Sequence, residues 1–175
     1  MQFRHFPLHP ETPEAGLTLE ELFTGRNFDL AAAQQRMTRL MQEEELPYGS
    51  RTMTFNSRLA QELAAWAVTQ PGGDQIHDAL FRAYFVDGRN IAQLDVLQDV
   101  AEAIGLDAGP AMDALQSRSC RDAVDADWNE SRRLGITGVP TFVAGNSGVS
   151  GAQSYDVLQR LVVQAGAVLV SRDHE

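Results

Sequence analysis

The residues of this chain that could do chemistry are few, and their spacing limits what they can do. Cys120 is the only cysteine, so no intramolecular disulfide, Cys-x-x-Cys pair or cysteine-built zinc site can form within one copy. Ser117, Arg118, Ser119 and Arg121 surround it, and cationic neighbours near a helix start can lower a thiol pKa. Cys120 is the one candidate for a reactive thiol, although its surroundings favour the plainer reading of a small, partly buried side chain, since free cysteine is often buried. His5 and His9 are four apart but flank Pro7, without the glutamate of a helical His-Glu-x-x-His zinc site. They read as loop histidines, and no metal site is expected. Gly145-Asn146-Ser147-Gly148 and Gly148-Val149-Ser150-Gly151 do not complete Gly-x-Ser-x-Gly. Turn chemistry accounts for these glycines. Glu43-Glu44-Glu45 reads as a solvated face beside a loop. No Gly-x-Gly-x-x-Gly or phosphate-cradling Gly-Lys-Ser/Thr occurs, and lysine is absent, so nucleotide binding through those motifs is excluded and no cofactor is expected. The most informative stretch is Gly138-Val139-Pro140-Thr141, where a proline opens a strand after two glycines and a cis peptide can be accommodated.

The elements that must position these residues follow from hydrophobic spacing. Phe3 to Leu8 predicts a strand running into the loop of Pro7, Pro10 and Pro13. Leu30, Ala33, Met37, Leu40 and Met41 predict a helix from Asp29 to near Pro47. Asn56 offers a cap for a helix ending at Pro71-Gly72-Gly73. Two further stripes run from Ile76 to Tyr84 and from Leu94 to Ile104, the second stopped by Gly105. Helical periodicity continues through Val124 and Trp128 to Leu134. Thr141 to Ala144, the turn Gly145 to Gly148, and Val149 to Ala152 then predict strand, turn, strand. Ser154 can cap a last helix carrying Tyr155, Leu158, Leu161, Val162 and Ala165 on one face.

Composition narrows the class. With 175 residues, 43% hydrophobic, and 24 acidic against 14 basic side chains for a net charge of −10, the chain is long and apolar enough to bury a core. Such an acidic chain repels phosphate backbones and anionic lipid, so neither nucleic acid nor membrane is an expected partner. No apolar run reaches the roughly 20 residues of a membrane span, and Met1 to His5 leads into prolines instead of a signal-peptide core. A cytoplasmic chain is expected.

Leu134-Gly135-Ile136-Thr137-Gly138-Val139-Pro140-Thr141-Phe142-Val143, followed by Val149-Ser150-Gly151-Ala152-Gln153, resembles the C-terminal half of the DsbA-like thioredoxin-fold oxidoreductases, in particular the cytoplasmic FrnE-type branch. The resemblance extends through Asn56 to Ala60, Leu80 to Phe85 with Asp87-Gly88, and Ala101 to Asp107. Phe6-Pro7-Leu8-His9-Pro10 is similar to that fold's second strand and exit loop. The resemblance implies an α/β, thioredoxin-like (DsbA-type) fold with a helical insertion. Residues 1–23 and 121–175 would form the thioredoxin-like part and 24–120 the inserted helical subdomain. It also implies that Val139, Pro140 and Thr141 form the substrate-binding cis-proline loop, and that partners are disulfide- or thiol-containing proteins or peptides, or glutathione.

One departure from the family is large. Its members begin with a strand leading to Cys-x-x-Cys at a helix N-terminus, where the dipole stabilises the thiolate. The sequence has neither, so relative to the family it reads as N-terminally truncated, without a catalytic residue for dithiol exchange. The missing strand would be central, and each buried donor or acceptor it leaves unpaired would cost about 1 to 3 kcal/mol. Two explanations are compatible with this: a dithiol upstream of Met1, or a shortened relative that closes the gap by rearrangement or as a homodimer. The expected function is thiol-disulfide exchange with the dithiol absent from this chain. The alternatives are a non-redox peptide-binding or dimeric scaffold, and a glutathione-dependent isomerase or transferase relative.

Overall fold

In the computed structural model, which describes residues 2–168, side chains that close the helix ends set the element order. Thr18 ends the short strand β1 (Leu17–Thr18) and caps α1 (Leu19–Phe23): its hydroxyl accepts from Glu21 N–H while the Glu21 carboxylate accepts from Thr18 N–H. Asp29 caps α2 (Leu30–Glu43) through Ala32 N–H, and α2 stops four residues short of Pro47. β2 (Met53–Thr54) pairs antiparallel with β1. α3 (Arg58–Ala67), α4 (Ile76–Phe81) with a π-helical turn at Arg82–Val86, α5 (Leu94–Ala103) and α6 (Ala108–Ser117) follow. Leu63, Ile76, Leu97, Val100, Ala111 and Leu115 meet in one core. α7 (Arg121–Arg133) leads to β3 (Thr141–Ala144), β4 (Ser147–Ser150) and α8 (Tyr155–Gln164). Contacts divide the chain into one unit up to Asp127 and a second from Trp128 onward.

Three sequence expectations need correction. Phe3 to Leu8 is not a ladder strand. The carboxylate of Asp127 accepts from His5 N–H at 3.0 Å and from Arg4 at 2.8 Å, and Gln61 Nε2 donates to Phe6 C=O at 3.0 Å. Side chains take up the His5 N–H and the Phe6 C=O, and among the described residues no strand pairs with this segment. Asn56 stands one residue before the N-cap position, Ser57, and its Oδ1 accepts from Arg58 N–H while its amide donates to Pro10 and Thr12 C=O, tying the proline loop to α3. The hairpin turn is only Gly145-Asn146, because Gly145, with φ 58°, supplies the positive φ at the first turn position. Ser147 and Gly148 therefore lie in β4, and Gly151 and Ala152 beyond it.

Within the first unit, a buried carboxylate joins three helices. The Glu62 side chain is 1% exposed and accepts from Arg58 at 2.5 Å and, bidentately, from Arg118 at 2.6 and 2.7 Å. Arg58 also bonds Asp125 Oδ1 at 2.6 Å and Arg121 C=O at 3.0 Å. Burial alone would push the Glu62 carboxyl up, but the hydrogen bonds from Arg118 and Arg58 outweigh it and hold it below the usual carboxylate range. The Arg118 backbone, at φ 56°, adopts the left-handed conformation that ends α6.

Candidate functional site

From Leu134 to Ser154 the sequence carries no charged side chain and no histidine or cysteine, so this stretch supplies surface and hydrogen bonds but no acid, base or thiol. Its placement starts with the end of α7. Gly135, at φ 67°, donates to Arg132 C=O at 3.0 Å, and Ile136 N–H donates to Ser131 C=O at 3.0 Å, closing the helix. The chain then turns through Gly138 into a cis Val139-Pro140 peptide. Thr141 Oγ1 donates to Gly138 C=O at 2.7 Å and lies 2.9 Å from Ser150 Oγ across the hairpin. Gln153 Nε2 donates to Ser150 C=O at 2.5 Å. These bonds tie the loop to both strands.

The register fixes which backbone groups are free. Thr141 pairs with Ser150, Phe142 with Val149, Val143 with Gly148 and Ala144 with Ser147. Gly151 N–H donates to Pro140 C=O at 2.7 Å, continuing the ladder. Residues flanking a two-residue hairpin turn form a hydrogen-bonded pair, and such pairs alternate along antiparallel strands. Pro140, Phe142 and Ala144 therefore face β4, whereas Thr141 and Val143 direct N–H and C=O to the opposite edge. Among the described residues β3 has no second strand neighbour. Val139, 51% exposed, and the exposed Pro140 stand at the head of this edge.

The sequence-predicted residues Val139, Pro140 and Thr141 are thus one contiguous surface. Sequence reasoning did not identify Ser150 and Gln153 as its supports. Threonine and serine at equal distances from a two-residue turn were the available signal. Cys120 belongs to the first unit. It precedes α7, is half-buried, and its carbonyl accepts from Val124 N–H at 3.2 Å. The cations flanking it are already engaged, Arg118 by Glu62 and Arg121 by Asp125 at 3.7 Å. The carboxylates offset the positive field that the sequence suggests. His5 is half-buried, and its desolvation pushes its pKa below the ordinary 6.5 despite the neighbouring Asp127. Burial also lowers His9, helped by Arg26 and Arg51.

The DSBA-like thioredoxin domain model matches residues 1–163. The chain belongs to that family. It is similar to the uncharacterised protein YwbO of Bacillus subtilis, with 32% identity over 91 residues, which is 51% of this chain and 46% of that protein. The match therefore spans about half the length of that curated relative. Among solved structures it is similar to a probable DsbA oxidoreductase from Streptomyces coelicolor, with a TM-score of 0.81 and 28% identity over 96% of this chain and 76% of that one. A 2-hydroxychromene-2-carboxylate isomerase superposes with a TM-score of 0.64 at 20% identity, covering 78% of this chain and 66% of that one. At that identity the likeness shows the fold alone. The fold is the DsbA-like thioredoxin fold of mixed helix and sheet. No helix among the described residues is long and apolar enough to cross a membrane.

Proposed function

We propose that this chain is the substrate-holding part of a FrnE-type thiol-disulfide oxidoreductase. The open edge of β3 beside Val139-Pro140 is the observation that carries this reading. An extended segment bearing a disulfide or thiol adds to that edge, exchanging hydrogen bonds with the outward N–H and C=O groups of Thr141 and Val143. A thiolate then attacks the substrate disulfide, forming a mixed disulfide and expelling the second sulfur as thiolate. A resolving thiol attacks the mixed disulfide and releases the substrate. The first step takes one thiolate and the second a resolving thiol, and the sequence contains one cysteine. In this reading a dithiol is supplied from outside this sequence. We assign residues 1–23 and 121–175 to the thioredoxin-like part and 24–120 to the insertion, and place the protein in the cytoplasm with thiol or disulfide proteins, peptides or glutathione as partners.

The single cysteine also supports a second reading, a non-redox peptide holder or dimeric scaffold using the same edge. One pair of measurements tests the proposal and separates the readings. The chain alone should reduce insulin at the background rate; sustained turnover by the Cys120→Ser variant would overturn the assignment of the dithiol. An extended cystine-containing peptide should shift the amide resonances of Thr141 and Val143. Val143→Pro removes one outward donor while leaving the Phe142–Val149 pair, and should weaken that binding about fivefold, the worth of one net hydrogen bond. Undiminished binding by this variant would sink both readings.

A further inference from the structure

An apolar cavity of the first unit lies far along the sequence from the hairpin and takes no part in the proposed exchange. It has a volume of about 760 Å³ and is walled by Met37 and Met41 of α2, Leu46, Phe81 of α4, Phe85 of the π-helical turn and Ile104. Its rim carries Asp78 and Arg82. A second, polar cavity of about 520 Å³ is lined by a different face of α2, with Gln34, Thr38, Arg39 and Gln42, together with Arg51. Tyr48 lines both, so the two adjoin.

Helical geometry explains the division. Met37 and Met41 are one turn apart and share a face, while Gln34, Gln35, Thr38 and Gln42 fall on the adjacent face. The segment that lines both cavities is fixed in place: Gly49 N–H donates to Phe85 C=O at 2.9 Å, and a β-carbon at Gly49 would collide with Val86 C=O. Segment 46–51 is thereby held against the π-helical turn, a local geometry that recurs at functional sites.

The charges indicate what would fit. In a chain with 24 acidic and 14 basic residues, the polar cavity is lined by two arginines and no carboxylate. Arg39 has a long ion pair, 3.6 Å to Glu43. Arg51 makes no ion pair among the described residues. Its guanidinium carbon lies 4.9 Å from the Tyr84 ring centroid and 5.3 Å from that of Phe85, and its Nε is buried without a hydrogen-bond partner. Stacked rings hold a guanidinium in place but do not satisfy its donors. In the apolar cavity, Phe81 at 58% and Leu46 at 53% exposure leave large hydrophobic surfaces around a concavity of small-molecule size.

We propose that the adjoining cavities bind a small amphipathic anion, with an aromatic or aliphatic body among Met37, Met41, Phe81 and Phe85 and a carboxylate-type head toward Arg39 and Arg51. The volume is that of a small-molecule site. Apart from methionines at 1, 53 and 112, the chain has methionine only at 37 and 41, so methyl-labelled methionine reports the site directly.

The experiment is a titration of the full chain with biphenyl-4-carboxylate, followed by methionine methyl resonances and calorimetry. Saturable shifts at Met37 and Met41, with Met53 and Met112 unmoved, are expected. Biphenyl-4-carboxamide should bind about tenfold more weakly, the scale of one charge-assisted hydrogen bond. Arg39→Gln, exposed and harmless to the core, and Arg51→Gln should each narrow that difference. Equal affinity for acid and amide would overturn the proposal. So would shifts spread over all methionines, or Met37 and Met41 shifts that follow protein concentration without the probe, which would make the face a contact between copies.

Discussion

The two units of this molecule bury their apolar residues very differently. In the first, Leu63, Ile76 and Leu97 are fully buried within one multi-helix core, and the buried Glu62 is answered by two arginines. In the second, Leu161 is the only apolar side chain among the described residues that is buried, while Val139, Val143, Val162 and Val163 keep about half their surface in water. Stability is concentrated in the first unit and free surface in the second. Core positions answer to packing and exposed edges to whatever pairs with them.

Leu63→Ala should cost about 4 kcal/mol in denaturant unfolding, whereas Val143→Ala should stay within about 0.5 kcal/mol. Similar losses at both positions would erase the distinction. A smaller effect is expected from Glu62→Gln, about 3 kcal/mol, because it leaves Arg58 and Arg118 facing a neutral amide. The same variant also changes the response of the first unit to pH. The wild-type Glu62 carboxyl is held below 4.5, so the unfolded chain binds its proton first and stability falls as pH drops below 4.5 toward the folded value. Glu62→Gln should flatten that acid limb, and an unchanged limb would contradict the network. The smallest effect belongs to His5 and His9, both held below 6.5 chiefly by burial. They are protonated first in the unfolded chain, so a mild loss is expected as pH falls from 7 through 6.5. Single-tryptophan variants retaining Trp66 or Trp128 should place that loss in the Trp66 signal. A loss confined to Trp128 would assign it to the wrong unit.

Much of this architecture is legible in the sequence where periodicity and punctuation agree. The stripes over 30–43, 94–103 and 155–164, stopped or started by Asp29, Gly105 and Ser154, are helices in the structure. The hairpin is also legible, except for its turn length, which depended on one glycine φ. Phe3 to Leu8 misleads because strand composition does not reveal that Asp127 and Gln61, more than 50 residues away, satisfy the backbone. The two-residue strands at 17–18 and 53–54 are too short to show alternation. The helix over 108–117 carries Gly109-Pro110 in its first turn, where the pair reads as a break although a first-turn proline loses no bond. Family membership was legible from the stretch around Gly138 to Val143. The open edge of β3 was legible only through that resemblance, whose missing central strand leaves donors and acceptors unpaired, and not from any residue spacing.

The uncharged run from Leu134 to Ser154 separates two kinetic stages of encounter. A net charge of −10 acts over about a Debye length, hastening basic segments and slowing acidic ones, and salt damps that bias. A segment seated on this run alone then meets dipoles and apolar surface, on which ionic strength has little hold. Association rates should thus respond to salt while residence times do not. Charge selects which chains arrive, and backbone geometry sets how long they stay.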